Sequence, residues 1–187
     1  MITLDLFDCP IYVSTVVNWH NVKYQFLNQI DWDDQRCYSE EGMVGGYTDY
    51  FKYYSTGIVP PYYDKLMEIL TRPISTFQQL HPGAYVSNAW CQKYSDTACH
   101  PAHNHGALGY SAVFYAQLDL IDNATSFFSP FANPWTGQIK SSVPDCREGD
   151  IIFFPSFLIH QSLPHRGHLD KIIFSFNISK STEQISL

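Results

Sequence analysis

Basic residues are in short supply: 11 Lys and Arg stand against 18 Asp and Glu, a formal net charge of −7. No basic cluster is left to neutralise a phosphate backbone, so nucleic-acid binding is not expected. An anionic bilayer surface would repel such a chain. Charge of either sign is scarce, at 16% of residues against 45% apolar, and that balance excludes an intrinsically disordered chain. Long apolar runs are missing as well; none approaches the ~18 residues that a membrane helix needs. There is no CxxC pair. The five cysteines (Cys9, Cys37, Cys91, Cys99 and Cys146) are odd in number and scattered. They read as reduced thiols of a cytoplasmic protein, not as a disulfide framework or a zinc ribbon. The first ten residues, MITLDLFDCP, are broken by Asp5 and Asp8 and carry no basic flank, so no secretory signal is expected. Fixed-period repeats and low-complexity tracts are absent.

What is present fits one domain, because 187 residues is within the usual ~100–200 per domain. Residues 1–187 read as a single unit: a strand, helices and a loop over 1–83, then a β core over 84–179. A short strand is expected within 1–16. Trp19, Val22, Phe26 and Ile30 share one face of a helix over 18–30, with Asn18 as its N-cap. The Gly- and Tyr-rich stretch 38–60 has no clean period and reads as a loop, of the kind that closes over a ligand. A second helix over 61–71 has Pro61 in its first turn and Leu66, Met67, Ile69 and Leu70 as an apolar stripe, and Pro73 stops it. From 84 onward strand-like runs appear at 84–94, 110–120, 149–155 and 169–179. Helices followed by many short strands imply a mainly β (α+β) fold with N-terminal helices packed on one sheet.

The chemistry-bearing residues are histidines. Three lie in CHPAHNHG (His100, His103 and His105), and His160 follows GDIIFFPSFLIH. In an extended chain residues i and i+2 point to one side, so His103 and His105 project together. With one imidazole from a neighbouring strand they can make a facial metal site that keeps positions open for substrate and dioxygen. His20, His81, His165 and His168 read as surface or satisfied core residues. Strand 169–179 alternates Lys171, Ile173, Ser175 and Asn177 with Ile172, Phe174, Phe176 and Ile178. The second set should face core, and the first should line a polar cavity in which the Lys171 cation needs an anion. Strand 110–120 sets Ser111, Val113, Tyr115 and Gln117 against Ala112, Phe114, Ala116 and Leu118. Strand 84–94 offers Asn88, Trp90, Gln92 and Tyr94 on one side.

HNHGALGYSAVFYAQLD, EGDIIFFPSFLIHQSLP and KIIFSFNIS together resemble the Fe(II)/2-oxoglutarate oxygenases of the double-stranded β-helix superfamily. They are most similar to a subgroup written roughly HxHPxSxLSGVYYL, GxLxxFPSxLxHxVxP and RxSISFN. The opening LFDCPIYVSTV also resembles that subgroup's first strand. The resemblance implies a jelly-roll, cupin-like double-stranded β-helix core, with Fe(II) and 2-oxoglutarate as cofactors. It implies iron ligands at His103, His105 and His160, where His105 takes the place of the superfamily's usual carboxylate. The Arg that pairs with the far carboxylate of 2-oxoglutarate falls on Lys171, eleven residues after His160, which keeps the charge and gives up bidentate geometry. Ser175, Tyr94 and Tyr115 are the further cosubstrate candidates, and Gln92, Gln117 and Asn177 the substrate candidates. The implied reaction is hydroxylation of a small-molecule or peptide substrate with release of succinate and carbon dioxide.

Other readings stay open on the residues alone. One is a cupin-type metal dioxygenase that does not use 2-oxoglutarate, although Gly109 stands where the cupin motif wants Glu. Another is a non-catalytic β-barrel binding module. A Cys99–His nucleophile has little support, since adjacent Cys99 and His100 point to opposite sides of a strand. The metal register has two forms: His103 with His105, or His105 first with Ala107 in the acid's place.

Overall fold

The computed structural model describes residues 9–37, 44–119 and 124–181. Its elements run β1 (Tyr12–Thr15), α1 (Trp19–Leu27), β2 (Val44–Thr48), α2 (Tyr50–Tyr53), α3 (Tyr63–Ile69), α4 (Thr71–Leu80), β3 (Ala84–His103), β4 (Tyr110–Gln117), β5 (Ser126–Ala132), β6 (Ile139–Ser142), β7 (Asp150–Pro155), β8 (His160–Ser162) and β9 (Lys171–Lys180). One sheet runs β1-β7-β4-β9-β3, with β2 on the far flank of β3. The distal end of β3 passes into a second sheet that continues through β8, β5 and β6. All of these pairings are antiparallel. This is the double-stranded β-helix arrangement expected, with helices on one sheet. Among the described residues no helix is long and apolar enough to cross a membrane.

Two apolar clusters hold the layers together, and β9 separates them by its alternation. Ile172, Phe174, Phe176 and Ile178 pack toward Trp19, Phe26, Leu66, Leu70 and Phe77 of the helices. Ile173 packs between the sheets with Tyr94, Val113, Tyr115, Ile152 and Phe154. Burying one such large apolar side chain contributes about 1.5–3 kcal/mol. The Trp19 ring meets Phe114 edge-on at 4.9 Å, and its Nε1 donates to the Ala116 carbonyl at 2.9 Å. All six residues of β7 are buried because both its faces are covered.

Several local expectations are corrected. Most of the described part of the expected loop over 38–60 is regular structure: β2 pairs along β3, with Thr48 opposite Gln92, and α2 follows at once, while residues 57–60 are loop as expected. Residues 38–43 lie outside the described residues, as do residues 1–8 of the expected first strand. Pro73 does not end the helical region. It sits in the first turn of α4, where a missing N–H costs nothing, and α3 stops at Ile69 instead. Asn18 precedes α1 but is left-handed, with φ 64°, and makes no side-chain cap. In β4 a register shift between Tyr115 and Gln117 pairs Gln117 with Ile172, on the helix side. The same shift sends Leu118 into the inter-sheet cluster; one slipped residue exchanges the two faces. His81 and His165 each bury a ring nitrogen that has no hydrogen-bond partner among the described residues, so neither is a fully satisfied core residue.

Candidate metal centre and cosubstrate pocket

Three imidazoles converge where the two sheets meet. His103 ends β3 directly opposite His160 of β8. His105 lies just past the strand, not on it, and its amide donates to the Ser156 carbonyl at 2.9 Å. The expected same-strand pairing of His103 and His105 is therefore replaced by a strand end and a bend, yet both rings reach the same place. Ring centroids are 4.4 Å apart for His103 and His160, and 5.1 Å for His105 and His160. One ligand atom from each lies within 4.8 Å of the others.

Hydrogen bonds define which atoms these are. His103 Nδ1 faces the Pro101 carbonyl at 2.8 Å, and His160 Nδ1 faces the Leu158 carbonyl at 2.9 Å. His105 Nδ1 faces Asn177 Oδ1 at 2.8 Å. A carbonyl oxygen only accepts, so each Nδ1 carries the proton and each Nε2 keeps its lone pair. Orienting a ligand imidazole through its second nitrogen is the usual supporting arrangement in metal sites. Burial pushes the pKa of all three rings down, that of His160 to about 3 with help from the neighbouring His103. The rings are thereby held neutral, the state that binds metal. The donor set fits a divalent transition metal on three nitrogens.

A cavity of about 380 Å³ opens beside this cluster. Trp90, Gln92, Asn104 and Asn177 line it together with Thr48, Tyr50, Phe51 and Tyr54 from β2, α2 and the turn that follows. Tyr50 stacks on Tyr54 at 4.6 Å and meets Trp90 edge-on at 5.2 Å, which makes an aromatic wall. A narrow inner pocket continues inward past Gln92, Tyr94, Ser162, Ile173 and Ser175. Lys171 lies behind two of these lining residues, 1% exposed, with Nζ donating to Ser162 Oγ at 2.8 Å and 5.2 Å from the centre of the Tyr94 ring. Burial lowers its pKa to about 7. Arg166, the other cation in this stretch, is exposed.

The remaining candidates divide. Tyr94 lines the inner pocket. Ser175 lines it too, but its hydroxyl donates to Gln92 Oε1 at 2.8 Å. Tyr115 lines neither cavity; it lies in the inter-sheet core and donates at 2.9 Å to Oγ1 of Thr125, which does line the inner pocket. Gln117, displaced by the β4 register shift, donates to the Asp170 carbonyl at 2.8 Å. Asn177 reaches both His105 and the outer cavity. Two groups escaped sequence reasoning. His100 belongs to the imidazole cluster, and its place at i−3 from His103 in a strand gave no period-two signal. The wall residues Thr48, Tyr50, Phe51 and Tyr54 lay in the stretch without a clean period.

A sequence-family model described as "Putative 2OG-Fe(II) oxygenase" matches residues 88–177. These residues carry all three converging histidines and Lys171. Over this stretch the chain is similar to the 2-oxoglutarate–Fe(II) oxygenases. The cofactors of that family are Fe(II) and 2-oxoglutarate. Solved structures agree on the fold. A Pseudomonas putida prolyl-4-hydroxylase superposes with a TM-score of 0.58 at 13% identity, covering 91% of this chain and 93% of that one. HygX from Streptomyces hygroscopicus, with nickel and 2-oxoglutarate bound, gives 0.64 at 11% identity over 93% and 84%. The epimerase SnoN from nogalamycin biosynthesis gives 0.64 at 11% over 92% and 78%. No curated protein sequence matches the chain.

Proposed function

We propose that this chain is an oxygenase that hydroxylates a C–H bond of a small-molecule or peptide substrate, with metal bound by Nε2 of His103, His105 and His160. The observation that carries the reading is the shared tautomer: three rings converge, and each has its Nδ1 tied to an acceptor and its Nε2 left as a lone pair. Bound Fe(II) and 2-oxoglutarate would supply the oxidation, in which one dioxygen oxygen leaves in succinate, with loss of carbon dioxide, and the other enters the substrate as hydroxyl.

The chain's own residues hold and shield. Lys171 takes the far carboxylate of 2-oxoglutarate, with Tyr94 beneath it. The inner pocket is only about 20 Å³ as it stands, so seating the cosubstrate exchanges the Lys171–Ser162 bond for a Lys171–carboxylate pair. The aromatic wall of Tyr50, Tyr54 and Trp90 contacts the substrate and keeps water from the reacting carbon. Ala107 is exposed in the bend after His105, which favours the register with His103 and His105 as ligands. None of the five cysteines forms a disulfide, the state that a reducing cytoplasm maintains. Neither nucleic acid nor membrane is assigned as a partner. The test is succinate formation from 2-oxoglutarate by iron-loaded protein. It should be lost in His160→Ala, and equal activity in that variant would refute the ligand set.

A further inference from the structure

A fourth imidazole in the cluster lies outside the proposed metal set. His100 stacks on His103 with centroids 3.9 Å apart and lines both the outer cavity and the inner pocket. Its hydrogen bonding is the reverse of its neighbours'. In His103, His105 and His160, Nδ1 faces an acceptor. In His100, Nδ1 faces a donor, the Gln92 side-chain Nε2 at 3.3 Å. The other end of that amide is engaged as well: Ser175 Oγ donates to Gln92 Oε1 at 2.8 Å, and the NH₂ lies toward His100. A neutral imidazole that accepts at Nδ1 carries its proton on Nε2. His100 therefore has one occupied acceptor and one N–H donor, and neither nitrogen offers a lone pair to a metal ion.

We propose that His100 is a cosubstrate-binding residue: an Nε2–H donor, held in that tautomer by the Gln92 amide, that hydrogen-bonds an anionic oxygen of the keto acid beside the metal centre. This rests on the oxygenase reading given above. It accounts for a fourth ring that is close enough to stack on a ligand yet unable to be one. It also gives Ser175 a positioning role through Gln92. With Lys171 behind the inner pocket, the two carboxylates of a dicarboxylate are then held by different groups, one cationic and one a neutral donor.

Two titrations test the assignment: Mn(II) into metal-free protein, and 2-oxoglutarate into the Mn(II)-loaded protein, where no turnover intrudes. His100→Phe keeps a stacking ring and removes the donor. It should leave Mn(II) affinity nearly unchanged and weaken 2-oxoglutarate roughly ten- to a hundredfold, the cost of losing a hydrogen bond to a charged group. His100→Gln, which restores an N–H, should recover part of that loss. Gln92→Glu presents an acceptor to Nδ1, moves the proton there and frees Nε2. It should weaken 2-oxoglutarate and tighten Mn(II). Unchanged 2-oxoglutarate affinity in His100→Phe overturns the assignment, and so does a fall in Mn(II) affinity as large as that in His160→Ala, which would make His100 a ligand. If the unaltered protein binds Mn(II) but no 2-oxoglutarate, the oxygenase reading fails. If it binds both and His100→Phe matches it, only the role of His100 fails.

Discussion

The proton on Nδ1 of His103 and of His160 is held by a backbone carbonyl two residues earlier, whereas that of His105 is held by the side chain of Asn177. Of the three proposed ligands, His105 is thus the one whose identity is easiest to exchange. In His105→Asp a carboxylate stands on the same bend, and since carboxylate and imidazole both suit Fe(II), iron binding should persist by equilibrium dialysis. Loss equal to that of His160→Ala would favour the register that begins at His105. Lys171 has a pH signature. Its pKa is about 7 in the folded protein and about 10.4 in an unfolded chain. Unfolding therefore takes up a proton between those values, and stability rises with pH across that window. Lys171→Met should lack this rise when denaturant midpoints at pH 7 and pH 9 are compared with those of the unaltered protein. A carboxylate partner raises the lysine's pKa, so 2-oxoglutarate affinity should fall as pH climbs above about 7, with proton uptake on binding seen calorimetrically in buffers of different ionisation enthalpy. Lys171→Ala should weaken 2-oxoglutarate about 100-fold with iron still bound, since stranding one member of a desolvated charge pair is costly, and Lys171→Arg should lose less. At this scale the sequence made Lys171, Ser175 and the histidines visible as residue types. The partner of each hydroxyl stayed hidden, because the Ser175–Gln92 and Tyr115–Thr125 bonds depend on packing across strands.

Among the elements, β9 was the most legible, because its two faces meet different surroundings: an apolar helix layer on one side, a polar pocket and the inter-sheet core on the other. Gln117 and Leu118 show where period-two reasoning stops, since nothing in the local pattern announces the register shift that swaps their faces. Residues 44–56 were unreadable as elements for another reason. β2 carries Gly45 and Gly46, and α2 is a single turn, so neither has a hydrophobic period of its own; pairing with β3 defines them. Pro73 misled because Pro marks the start of one helix as readily as the end of another. The bend between His105 and β4 offers a direct test. Gly106 and Gly109 both have positive φ, +99° and +85°. A Cβ at Gly106 meets nothing within 4 Å, but one at Gly109 would lie 2.5 Å from the Ile178 carbonyl oxygen of β9. Gly106→Ala should cost about 1–2 kcal/mol from the backbone alone. Gly109→Ala should cost clearly more, because β9 must also give way, and thermal melts of the two variants compare them. Equal losses would contradict the close approach of bend and strand.

For the molecule as a whole, two apolar clusters flank one sheet, and the imidazoles lie where that sheet meets the second. The imidazole cluster therefore sits on backbone held from both sides, while the aromatic wall comes from short elements on the flank of β3. Such a division suits an enzyme whose ligands must stay fixed while the substrate-facing side varies. The account's central claim is that three neutral histidines on this scaffold hold iron for use with 2-oxoglutarate. Anaerobic addition of Fe(II) and then 2-oxoglutarate tests it most directly, with metal content and the visible charge-transfer absorption of the iron–2-oxoglutarate pair read in the unaltered protein and in His160→Ala. The account predicts one iron per chain and an absorption that grows with 2-oxoglutarate and saturates, both lost in His160→Ala. Full iron occupancy in that variant, or iron binding in the unaltered protein with no response to 2-oxoglutarate, would contradict it.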